Sequence, residues 1–186
     1  MKTVIVRVGD VDSSVPGRIE EDLRIIFPDA VFKVARDALP VPDEAFDSDR
    51  NQYLSSVILE RVRVCADSLK AERVLGVAAV DLYVPGLSFV FGEAESPGRA
   101  ALISLFRLRS EFYGRVGDGQ LLVERVVKEA VHELGHTLGL GHCGNPFCVM
   151  HFSNSIFDTD RKRNFFCGRC FGRVGSMMAD GKEEPV

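Results

Sequence analysis

The sequence predicts an α/β (α+β) fold, a mixed twisted sheet with helices packed against it, and three observations lead there. β-type runs alternate with helical stripes through the first half of the chain. Several of those runs are apolar throughout, as strands covered on both faces are. One long helical segment, holding His132 and His136, follows the last of them. The resulting order, β-α-β-α-β-β-β-α, argues for helices laid on a mixed sheet. A length of 186 residues with 46% apolar content suits one domain with a substantial core. The net charge of −4 gives no electrostatic footprint for nucleic acid or an anionic membrane. No stretch approaches the roughly 18 uncharged apolar residues of a membrane span.

Residues 3–8 are β-branched and apolar and are closed by Gly9 and Asp10, so they read as a strand. Pro16 and Gly17 open a helix whose core stripe is Ile19, Leu23, Ile26 and Phe27, and Pro28 stops it. Residues 31–34 form a second strand. Residues 38–49 carry Pro40, Pro42 and several acids and are expected to be a loop. A second helix is expected over about 49–69, with Leu54, Ile58, Val62, Cys65 and Leu69 on its buried side. Cys65 on that stripe reads as a small core hydrophobe. Residues 74–80 form a nearly continuous apolar strand, 88–92 a short strand after the turn at Pro85 and Gly86, and 100–108 a further strand after Pro97 and Gly98. Residues 114–119 are a loop, and a helix covers about 120–138, with Leu122, Val126 and Ala130 facing the sheet. The tail, 180–186, reads as disordered.

The histidine segment carries chemistry. His132 and His136 are four apart, so on a helix they stand one above the other on one face. Two imidazoles so placed can converge on one metal ion at about 2.0–2.1 Å per bond. Gly139 accepts positive φ, ends the helix and swings the chain back, so that His142 arrives as a third ligand. Three protein ligands leave one position open, the mark of a catalytic zinc site. Glu133, beside the first histidine, is placed to hold an attacking water. Met150 would form a soft apolar floor beneath the imidazoles. His151, the fourth histidine, reads as a surface residue or a support for the site.

Four of the five cysteines follow: Cys143, Cys148, Cys167 and Cys170. The last two form CxxC, which lets two thiolates grip one tetrahedral ion, and Cys143 with Cys148 can supply the other pair. Residues 1–10 lack the apolar run of a secretory leader, which predicts a cytoplasmic setting and argues against disulfides. His142 and Cys143 are adjacent, and neighbours in an extended segment point to opposite sides, so one dipeptide would reach two metals. The run Arg161, Lys162, Arg163 reads as a solvated face that also offsets the charge of a zinc tetrathiolate.

With these residues in place the sequence resembles the archaemetzincins, also called archaelysins, a family of metzincin zinc metallopeptidases. The histidine spacing with Gly139 is the metzincin signature, and Met150 falls where that class has its Met-turn. The likeness also rests on Cys143, Cys148 and the CxxC pair, on Asp81 to Leu87, on Phe89 to Ala94, and on Phe152 to Ser155, so it spans about residues 74–171. It implies a catalytic zinc on His132, His136 and His142, and a structural zinc on the four cysteines. It further implies an upper subdomain over 1–142, holding the sheet and zinc helix, and a lower one over 143–186, holding the Met-turn. By the same resemblance Phe89, Val90, Phe91 and Gly92 form the edge strand beside the cleft, and they and Asn154 are candidates for substrate binding. No tyrosine lies beyond Tyr113, so the tyrosine that some metzincins place near the Met-turn has no counterpart.

The expected activity is hydrolysis of peptide bonds with Glu133 as general base and two zinc ions per chain. The expected partner is a peptide or protein substrate, with neither nucleic acid nor membrane, and the expected state is a monomer. The competing reading is a zinc-stabilised peptide-binding protein with an inactive histidine site. Glu133 favours the enzyme, because a structural site has no need of a carboxylate there.

Overall fold

A computed structural model describes residues 1–180. The expected disorder of the tail falls, beyond Asp180, outside the described residues. In chain order the strands are β1 (Lys2–Val8), β2 (Val31–Val34), β3 (Phe46–Asp47), β4 (Gln52–Leu54), β5 (Arg73–Ala78), β6 (Leu82–Tyr83), β7 (Gly92–Ala94) and β8 (Ala100–Ser104). The helices are α1 (Val15–Ile26), α2 (Ser55–Ser68), α3 (Gly119–Thr137), α4 (Ile156–Arg161) and α5 (Gly168–Asp180). The main sheet has the order β2-β1-β5-β8-β7, parallel except for β7, which runs antiparallel to β8 at the edge.

Alternation along the strands separates two cores. Ile5, Leu75, Val77, Ala101 and Ile103 face α1 and α3, where Ile19, Leu23, Val126 and Ala130 meet them. Val4, Val6, Val74, Ala100 and Leu102 face α2, where Ile58, Val62 and Ala66 meet them. This is why the central runs read as apolar throughout. No described helix is long and apolar enough to cross a membrane.

Four expectations change. The helix expected from about residue 49 begins at Ser55, because Asn51 turns left-handed (φ 52°) and Gln52–Leu54 pair as β4 between β3 and β6. Its buried face is accordingly Ser55, Ile58, Leu59, Val62 and Ala66, with Cys65 half-buried at the shoulder. The strand expected through residue 108 stops at Ser104, whose hydroxyl donates to the Val80 carbonyl at 2.6 Å and accepts from the Phe106 N–H at 3.1 Å. A 3₁₀ turn, Phe106–Leu108, follows. The edge strand lies at Gly92–Ala94 and not at 88–92; Val90 makes only an isolated bridge to Leu82. Finally, α4 and α5 were not expected.

The C-terminal segment is fixed beneath α3 by both apolar and polar contacts. Ile156, Phe166, Cys170 and Val174 join the core cluster of α1 and α3, with Phe166 edge-on to Phe27 at 5.8 Å. Arg125 on α3 grips Asp160 through two bonds of 2.7 and 2.8 Å. Lys128 caps the Thr159 and Asp160 carbonyls of α4. Glu129 meets Lys162 in an ion pair of 3.0 Å.

Candidate metal centres and the adjoining cleft

Helix α3 starts where Asp118 accepts the Gln120 and Leu121 N–H groups, a side-chain cap at 3.0 and 2.9 Å. It ends at Thr137, and Gly139 follows in the left-handed region at φ 86°, with Leu140 N–H bonded back to Gly135 O. Between these ends the helix presents His132 and His136, and the reversal at Gly139 returns His142. One ring nitrogen from each histidine lies within 4.8 Å of the others. The Nε2 atoms of His132 and His136 are 3.1 Å apart, close to the roughly 3.3 Å that two bonds of about 2.05 Å at a tetrahedral angle require.

The imidazoles are oriented from behind. Nδ1 of His132 donates to Val149 O at 2.7 Å, and Nδ1 of His136 to Leu140 O at 2.8 Å, which leaves each Nε2 with a free lone pair. Burial, reinforced by the charge of Lys162, holds His132 well below the usual histidine range. Burial likewise lowers His136 and His142. All three favour the neutral, ligating form. Phe152 packs on His142 at 4.8 Å.

Glu133 is buried, and burial followed by the nearby Glu129 pushes its carboxyl well above the usual range. Two glycines make room for the site. A Cβ on Gly92 would stand 2.7 Å from Glu133 Oε1 and 2.6 Å from Leu102 O. A Cβ on Gly135 would run into Met150 Sδ, so a glycine in mid-helix lets Met150 pack directly against α3. Neither requirement was read from the sequence, although a glycine inside a helical pattern is a signal for close approach.

Beside the histidines lies a small cavity of about 40 Å³. Phe89, Val90, Phe91 and Gly92 are among its lining residues. Glu129, His132, Glu133, Phe152 and Ser153 complete the lining. Asn154 is exposed and is not among the lining residues; its backbone N–H bonds Asp158 at the start of α4.

The four cysteine sulfurs lie within 4.8 Å of one another. Cys143 and Cys167 are 3.8 Å apart, which matches a tetrahedron with Zn–S bonds of about 2.3 Å. None forms a disulfide. The Cys170 N–H, followed by the neighbouring thiols, lowers Cys167 to about 7, and burial raises Cys148 and Cys170. The Cys167 N–H bonds Cys148 Sγ, and Arg169 reaches Cys143 Sγ at 3.7 Å. The two clusters meet at His142 and Cys143, where the Cys143 N–H bonds Met150 O and His151 Nδ1 bonds Cys143 O. His151 thus braces the dipeptide that joins the two centres.

Comparison with known proteins settles the family. The model of peptidase family M54 matches residues 1–175. The chain belongs to this family, the archaemetzincins. The Pyrococcus furiosus archaemetzincin is 43% identical over 181 residues, covering 96% of this chain and 94% of that protein. The crystal structure of the Methanopyrus kandleri archaemetzincin is 39% identical, superposes with a TM-score of 0.83 and covers 96% of each chain. That of the Archaeoglobus fulgidus archaemetzincin, a malonate complex, is 41% identical with a TM-score of 0.80 over 93% of this chain and 99% of that one. Membership makes the protein a zinc metallopeptidase with the mixed fold of the archaemetzincins.

Proposed function

We propose that the chain hydrolyses peptide bonds in the cleft beside β7, with zinc held by His132, His136 and His142 and Glu133 as general base. The observation that carries this reading is the placement of Glu133. Its carboxylate lines the same cavity as His132 and is seated against Gly92, where a side chain would displace it. When bound to such a donor set, zinc acidifies water and polarises a carbonyl. Glu133 then takes the proton of the attacking water and passes it to the leaving amine. An extended substrate adds to β7, an edge strand whose other side already pairs with β8.

The four cysteines would enclose a second zinc with no open position, which braces the lower subdomain that begins at Cys143 against 1–142. The test is cleavage of a peptide library by zinc-loaded protein beside Glu133→Gln. Glutamine keeps the shape but takes no proton at working pH. A loss of at least about 10²-fold is expected, the low end for general-base catalysis. Equal rates at equal metal content would refute the role of Glu133. Binding without cleavage by the parent would favour a peptide-binding protein.

A further inference from the structure

We infer that the aromatic ridge of Phe106, Phe112 and Tyr113, joined to the cleft through Phe89, binds a bulky apolar side chain of the substrate peptide; this rests on the peptidase reading. Phe89 lines the cavity beside Glu133. The Arg107 guanidinium lies over the Phe89 ring at 4.4 Å and over the Phe112 ring at 4.8 Å, joining the two. Phe112 in turn meets Phe106 at 5.5 Å and Tyr113 at 5.0 Å, both edge-on. The ridge is therefore continuous with the cleft.

These rings are not core. Phe106, Phe112 and Tyr113 are 38%, 42% and 37% exposed, whereas Phe27, Phe32, Phe91 and Phe166 are all at 7% or less. Clustered apolar rings left in water mark a binding surface. The charge state selects the occupant. Both Asp81 carboxylate oxygens accept from Arg107 at 2.7 Å, so the cation that bridges the rings is already paired and has little call on an acidic group. An apolar side chain fits and an acidic one does not.

The surface is also held in place. The Tyr113 hydroxyl donates to Arg107 O at 2.9 Å, and Arg125 donates to Leu108 O at 2.9 Å. Arg50 and Gln52 donate to Ser88 O at 3.1 and 3.0 Å, fixing the approach to Phe89. Little ordering remains to oppose binding. An extended peptide advances about 3.3 Å per residue. A chain paired with β7 therefore brings a side chain onto the ridge within a few residues of the bond under attack.

The test uses fluorescent peptides that differ only in carrying Phe or Ser at successive positions, bound to zinc-loaded Glu133→Gln protein and read by anisotropy. At one position the Phe peptide should bind about tenfold more tightly, the lower range for burying one such side chain. In a background that also carries Phe106→Ser and Phe112→Ser the ratio should fall to about one, while Phe112→Leu, which keeps an apolar surface, should retain most of it. A ratio that survives the double serine change, or equal binding of both peptides by the parent, would overturn the inference. Because the readout is binding, it stands apart from hydrolysis. A parent enzyme that cleaves without any such preference refutes the ridge alone, and a preference without cleavage refutes only the peptidase reading.

Discussion

Lys162 Nζ lies 3.0 Å from Glu129 Oε2, and both side chains are shut off from solvent. The pair joins the helix of the histidine centre to the segment after α4. Glu129 Oε1 also accepts from the Thr159 hydroxyl at 2.7 Å. Lys162→Met leaves the Glu129 carboxylate buried without its counter-charge. Removing one partner of a buried pair costs about 3–5 kcal/mol. We expect a loss of that order in urea unfolding of metal-saturated protein. The double change Glu129→Gln with Lys162→Met should cost less than Lys162→Met alone. Equal or larger loss in the double variant would mean that the two charges do not act as a pair.

Lys162 also shows where sequence reading stops. In sequence it sits between Arg161 and Arg163 and reads as part of a solvated run, but α4 ends at Arg161 and the next residue turns inward to meet α3. Burial of a charge depends on a partner 33 residues away, which no local pattern contains. The metal ligands were legible because their geometry is local: His132 and His136 share a helix face, and Gly139 reverses the chain within three residues. The central parallel strands, β1, β5 and β8, were legible because each is covered on both faces. β7 was misplaced by a few residues because Phe89–Phe91 has strand chemistry, while pairing with β8 begins only at Gly92. α4, six residues long, leaves no stripe to read, although the capping box of Ser155 and Asp158 announces its start.

Gly92 gives a sharper test of the cleft. In Gly92→Ala the new methyl meets Leu102 O on one side and Glu133 on the other. The Leu102 carbonyl belongs to β8 and cannot yield without moving the ladder, so Glu133 must. Overpacking of this kind costs about 1–3 kcal/mol. A displacement of about 1 Å in a reacting group can cost about 10²-fold in rate. We expect peptidase activity to fall by that order while metal content stays at the parent level. Parent-like rates in a folded Gly92→Ala protein would show that Glu133 is not held there for catalysis.

Two clusters with different donors predict two zinc ions of unequal affinity. Four thiolates are softer than three imidazoles and leave no position open to a competing chelator. Elemental analysis should find two equivalents in zinc-loaded protein and one after mild chelation. Loss of both together, or retention of both, would count against two independent sites.

The two centres should also differ in what they contribute to folding. The cysteine ligands come from separate stretches, the loop after α3 and the start of α5, so a metal there closes a loop between them. The histidines lie on one helix and the turn that follows it, and Val149 O and Leu140 O already hold two of their rings. Metal binding free energy adds to folding free energy to the extent that the unfolded chain lacks the site. Cys167→Ser removes a ligand that joins distant segments and leaves three thiolates crowded around a weakened site. His136→Ala removes one from a locally ordered, open site. Thermal melts in zinc-containing buffer should therefore show the larger drop for Cys167→Ser, and activity should be lost in both. A larger drop for His136→Ala would mean that the histidine centre is the one that holds the C-terminal segment to α3.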